Sequence, residues 1–160
     1  MAQKTLFICI FVAIMATSIA EAQELAGTVY VNGTLYCTAN GDPGPIRNTT
    51  PIFANAAMQV NCSGDVISNS PATATTNAIG AYRVVLTPRP TATVDSIVSN
   101  CRLFVLTPLS NCNPTLPSAG LVSNLRFDKT ATIPLFYIGG VPVAFSRVTF
   151  MIATGFTPQA

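Results

Sequence analysis

The chain has 160 residues, 49% of them hydrophobic and only 9% charged, with a net charge of +2 and no histidine. Without imidazole there is no Ser-His or Cys-His nucleophile, and a zinc site loses its commonest nitrogen ligand. Arg47, Arg83, Arg89, Arg102, Arg126, Lys129 and Arg147 stand singly among Ser, Thr, Asn and Pro. They form neither the basic stripe that neutralises a phosphate backbone nor the dense cationic face of a membrane-lytic helix, so nucleic acid is not an expected partner.

In chain order, Lys4 precedes the apolar run "LFICIFVAIMA", and "AEA" follows at Ala20 to Ala22. The run is too short to span a bilayer and has the flanks of a secretory signal peptide, so residues 1–22 are expected to be cleaved and a single domain to occupy 23–160. Cys9 leaves with the signal. Cys37, Cys62, Cys101 and Cys112 remain, an even set bound for an oxidising compartment, without the C-x-x-C spacing of metal sites. Disulfides are expected, with no metal and no cofactor.

Strand-like alternation with Gly, Pro and Asn punctuation then runs to the C-terminus. In "TVYVNGTLYCT" alternation passes straight through Asn32-Gly33, placing Val29, Val31, Leu35 and Cys37 on one face and Tyr30, Asn32, Thr34 and Tyr36 on the other. This favours one continuous strand over a hairpin, weakened locally at Gly33. A Pro/Gly loop, "GDPGPIRNTTP", follows. "AAMQVNC" places Met58, Val60 and Cys62 inward, "DVISNS" and "ATATT" are weaker strands, and "GAYRVVLT" is a strong one. "RPTATVDSIVSN" is a connection with one helical turn. "CRLFVLT" is the clearest central strand, and "LVSNLRF", "TIPLFYI" and "RVTFMI" close the domain. The expected fold is all-β: a single β-sandwich or partly closed β-barrel of about seven strands, stapled by two disulfides.

Few groups offer chemistry. Glu24, Asp42, Asp65, Asp95 and Asp128 are the carboxylates from which a glycosidase pair would have to be drawn. All but Asp95 fall in turns, at strand ends or near the mature N-terminus, where acidic residues are ordinary, so no catalytic residue is assigned. Three sequons occur, at Asn32, Asn48 and Asn61. Asn48 lies in the loop and is the best N-glycosylation candidate, Asn32 needs a solvated strand face, and Asn61 precedes a cysteine committed to a disulfide. Tyr30 and Tyr36 share a strand face, but six residues of extended chain separate them by about 20 Å, and a strand tyrosine more often packs than stacks against sugar.

The blocks "GTLYC", "ANAAMQVNC", "TTNAIGAYRVVL" and "CRLFVLTPLSNCNPTLPSAGLVSNLRF" resemble the pollen Ole e allergen and extensin domain family, most closely its phylloplanin branch, over roughly Gly33 to Thr132. The N-x-x-G-A-Y at Asn77 to Tyr82 has a physical meaning, since its glycine suits a tight turn before a strand. The wider family carries a C-x-x-C after the first strand and a late cysteine. Here Asn40 and the C-terminal segment supply neither, as in the phylloplanin branch.

An extended "RLFVLT" spans about 20 Å, whereas disulfide Cα atoms lie about 5.5 Å apart, so Cys101 and Cys112 meet only if "PLSN" folds fully back. Of the three possible connectivities, the resemblance implies Cys37–Cys112 and Cys62–Cys101. It also implies a secreted, non-enzymatic defence protein of the leaf surface, apoplast or cell wall that inhibits germination or growth of microbial pathogens. The alternative is a structural wall component of the extensin type. The expected partner is a microbial surface or cell-wall polysaccharide. No transmembrane anchor is expected, and Arg147 with the terminal "TPQA" breaks the tail that lipid anchoring requires.

Overall fold

A computed structural model describes residues 27–45 and 49–159. The expected signal peptide, residues 1–22, lies outside the described residues, as do Glu24, Arg47 and Asn48.

Eight strands occur among the described residues: β1 (Thr28–Thr34), β2 (Ala57–Cys62), β3 (Ala72–Thr75), β4 (Ala81–Leu86), β5 (Cys101–Val105), β6 (Leu121–Ile138), β7 (Val141–Ala153) and the two-residue β8 (Thr157–Pro158). One helix, α1 (Val94–Asn100), leads directly into β5. The sheet runs β3-β2-β5-β6-β7-β1-β4, with β8 added on β6, and all its pairings are antiparallel except β1 with β7. The sheet curls until its edges approach. Between them the segment after β2 takes up backbone groups at the end of β4: Ser68 N–H donates to Thr87 O at 2.8 Å and Arg89 N–H to Val66 O at 2.9 Å. The all-β, nearly closed barrel is therefore the architecture that the alternation predicts.

Period-2 patterning places the core. Val29, Val31 and Leu35 from the first strand region, Met58 and Val60 from β2, Val84 and Leu86 from β4, and Leu103 and Val105 from β5 are essentially without solvent exposure. Burying each such side chain stabilises the fold by about 1.5 to 3 kcal/mol before chain entropy is counted. Ile97 of α1 plugs into the same cluster. That helix starts where the sequence supplies a reciprocal cap: Ser96 N–H donates to Thr93 Oγ1 at 3.1 Å, and Thr93 N–H donates to Ser96 Oγ at 2.9 Å.

The N-x-x-G-A-Y motif is a turn built around two of its residues. Asn77 Oδ1 accepts from Ile79 N–H at 3.0 Å and from Ala81 N–H at 2.9 Å. Gly80 has φ +71°, and a Cβ there would come within 2.7 Å of the Leu35 carbonyl oxygen, so both conformation and space require glycine.

Five local expectations change. β1 ends at Thr34, yet Tyr36 still bridges Ile52 and both Leu35 and Cys37 stay buried, so the continuous face is kept without a continuous ladder. Gly33 does more than weaken the strand: it lies opposite Tyr82, whose ring covers it. "DVISNS" contributes only the Ile67–Pro88 bridge, while the single expected helical turn is a seven-residue helix. "LVSNLRF" and "TIPLFYI" are one 18-residue strand, β6, paired along most of its length with β7.

Candidate functional site

The four cysteines form two bridges. Cys62 and Cys101 are direct cross-strand partners of β2 and β5, with Cα atoms 4.0 Å apart, and Cys37 joins Cys112 across a Cα separation of 5.9 Å. The second bridge ties the loop after β1 to Cys112, the residue that ends a 3₁₀ turn, Leu109–Asn111. The first bridge staples two neighbouring wall strands, and the second joins two connections to each other.

The described carboxylates lie on different elements. Asp65 pairs with Arg89 at 2.9 Å, Asp95 sits in the first turn of α1, Asp128 lies on β6, and Asp42 is in the loop where Asn40 Nδ2 donates to its Oδ2 at 3.4 Å. No group of three or more His, Cys, Asp or Glu among the described residues could hold a metal ion. Of the sequons, Asn32 is half-buried and its Oδ1 accepts from Arg83 Nε at 3.1 Å. Asn61 is exposed, and its Oδ1 accepts from Ser70 Oγ at 3.3 Å.

Two features bring side chains together on the outer surface. The first is a row across four neighbouring strands. The Arg83 guanidinium of β4 lies 5.0 Å from the Tyr30 ring centre, Tyr30 of β1 lies 5.8 Å from Phe150 of β7, and the Lys129 ammonium of β6 lies 5.7 Å from the Phe150 ring. The cations cover the aromatic faces by cation–π attraction, so Tyr30 is engaged within the sheet, and Tyr36 is not part of the row.

The second feature is the distal half of the β6–β7 hairpin. From Thr130 to Ser146 there is no charged residue. The turn is Gly139-Gly140, with φ of +58° and +82°, the backbone that a tight two-residue hairpin requires. Towards it the side chains leave the core: Leu135 is 64% exposed, Phe145 57% and Phe136 54%. This surface escapes a reading of the sequence that uses "TIPLFYI" as a strand closing the core. The available signal is the long uncharged span centred on a diglycine, a hairpin longer than one barrel wall.

No helix among the described residues is long and apolar enough to cross a membrane. The elements together define a small, doubly stapled, barrel-like β domain whose most accessible apolar surface is a projecting hairpin. A model of the family described as phylloplanin antifungal protein matches residues 25–156. Phylloplanin of Nicotiana tabacum is 35% identical over 128 residues, covering 77% of this chain and 78% of that protein. The chain belongs to the phylloplanin family. No solved structure matches it.

Proposed function

We propose that this phylloplanin-family chain is a secreted plant defence protein, acting at the leaf surface, in the apoplast or in the cell wall, that restrains germination or growth of microbial pathogens by binding rather than by catalysis. The observation that carries this reading is the match over residues 25–156 to a family described as antifungal. The lack of histidine agrees with a non-catalytic action. On this reading residues 1–22 are removed as a signal peptide, 23–160 form one domain, and Asn48 carries the first glycan, ahead of Asn32 and Asn61. The target is a microbial surface or a cell-wall polysaccharide, and nucleic acid is not a partner.

The test applies purified secreted protein to oomycete or fungal spores at graded doses, beside Asp42→Asn, Asp65→Asn, Asp95→Asn and Asp128→Asn variants. A dose-dependent block of germination is expected, unchanged in all four variants. Absence of any block, together with retention on pectin or arabinogalactan columns, assigns the protein instead to a structural wall role. Loss of activity in one folded variant would reveal an acid/base site.

A further inference from the structure

We propose that the distal β6–β7 hairpin is a lipid-docking element, which seats its uncharged end in one leaflet of an anionic membrane and leaves the barrel outside. This inference does not rest on the defence reading.

The cross-strand register shows why a lipid phase is the favoured occupant. Partners opposite one another share a face of the ribbon. Ile138 with Val141 and Pro134 with Phe145 lie on one face, while Phe136 with Ala144 and Tyr137 with Pro142 lie on the other. Both faces are therefore apolar, and large side chains stand exposed on each: Ile138, Val141 and Phe145 on the first, Phe136 and Tyr137 on the second. A protein docking against a two-stranded ribbon covers one face, whereas a fluid apolar phase surrounds both.

The edges argue against a second copy. A proline fits in a sheet at an open edge, at a strand start or at a bulge. Pro134 of β6 and Pro142 of β7 stand where each strand has only the other as its neighbour, with register shifts beside both, and prolines and bulges at such open edges obstruct edge-to-edge strand addition. The remaining unpaired backbone groups keep the ribbon from spanning a bilayer, because hydrocarbon does not tolerate open sheet edges. Docking is accordingly confined to the headgroup and acyl boundary.

Charge fits that depth, and length sets the inclination. Ile133 to Ile138 extend about 20 Å at roughly 3.3 Å per residue, longer than the roughly 5 to 10 Å to which an interfacial element is buried, so the ribbon lies inclined at the boundary. Below this segment the exposed charged residues of the two strands are Arg126, Lys129 and Arg147, with Asp128 beside Lys129. Arg147 is the partner of Thr132, one rung below Ile133, so the positive charge changes to an uncharged apolar surface where headgroups meet acyl chains. That charge selects an anionic surface.

The experiment is flotation of the full secreted protein with vesicles of phosphatidylglycerol and phosphatidylcholine in equal parts, and with phosphatidylcholine alone. Co-flotation with the anionic vesicles is expected. It should fall at least about tenfold in a Leu135→Ser/Phe136→Ser/Phe145→Ser protein and about tenfold in Arg126→Gln/Lys129→Gln, each with an unchanged thermal midpoint. The chain has no tryptophan, so Tyr137→Trp gives a single reporter whose emission should shift to the blue on anionic vesicles. The proposal is overturned if the protein stays with the buffer, if the triple substitution floats like the parent, or if phosphatidylcholine alone captures it equally. A dimer in ultracentrifugation that the triple substitution dissolves also overturns it, since a second copy would then occupy the surface.

Discussion

The barrel wall and the hairpin arm are made from the same kinds of residue and differ in what surrounds them. Along β5, Cys101, Leu103 and Val105 are buried while Arg102 is exposed, because the curled sheet, α1 and Phe156 supply an interior on one side only. Along β7 the same alternation continues from Val141 to Arg147, but it swings only between exposed and half-buried. From Thr132 to Ile138 on β6 every residue is exposed. Apolar alternation thus specifies a strand and its two faces, and burial follows only where a second layer exists. The barrel concentrates the stability of the molecule, and the arm concentrates its available apolar surface.

The sharpest way to break that contrast is to loosen the barrel alone. The Cys62–Cys101 bridge closes a sequence separation of 39 residues and Cys37–Cys112 one of 75. In the chain-entropy account each contributes about 4 kcal/mol, a large part of the roughly 5 to 15 kcal/mol that holds a typical domain together. A Cys62→Ser/Cys101→Ser protein should be secreted poorly or melt far below the parent. Non-reducing peptide mapping of the parent should return Cys37 linked to Cys112 and Cys62 linked to Cys101. A Cys101–Cys112 peptide would contradict the placement of the 3₁₀ turn.

A smaller effect is expected where Tyr82 crosses Gly33 on the barrel wall. A Cβ at Gly33 would lie 2.6 Å from Cζ of Tyr82, so Gly33→Ala has to displace a ring that is only 6% exposed, at a cost of about 1 to 3 kcal/mol. Burial first, and the charge of Asp42 second, push the Tyr82 phenol above the ordinary tyrosine range. The sign follows directly. The fold holds the neutral phenol, the unfolded chain titrates near pH 10, and the stabilisation is complete below that pH and is lost as pH rises beyond it. Thermal melts from neutral to strongly alkaline buffer should show a steeper alkaline loss in the parent than in Tyr82→Phe. Parallel curves would remove Tyr82 from this account.

Much of the barrel was legible in the sequence because its determinants are local. The inward set Val29, Val31 and Leu35, the Asn77–Gly80 turn and the strand character of β4 and β5 each depend on alternation or turn chemistry within a few residues. The disulfide partners were legible only through family resemblance, because spacing alone leaves the connectivities open. The arm was misread for a physical reason. "TIPLFYI" is as apolar as a core strand, and nothing within it states that β6 outruns β5, whose pairing with it ends at Leu121–Asn124. Gly33 hid its role in the same way, since Tyr82 meets it from 49 residues along the chain.

The smallest expected effect is the most discriminating, because it asks whether the arm contributes to the fold at all. Leu103 has no solvent exposure, and Leu103→Ala should cost about 2 to 5 kcal/mol through lost burial and the cavity left behind. Phe136 is the larger side chain, yet it is 54% exposed and pairs across the ribbon with Ala144, which offers little to pack against. Phe136→Ser should therefore change stability by less than about 0.5 kcal/mol, as surface substitutions usually do. Paired urea titrations of the two variants measure the difference, with the denaturant slope reporting whether the exposed area on unfolding stays the same. Equal destabilisation would mean that the arm folds back against the barrel in solution, and the division between a stabilising body and an available apolar arm would have to be abandoned.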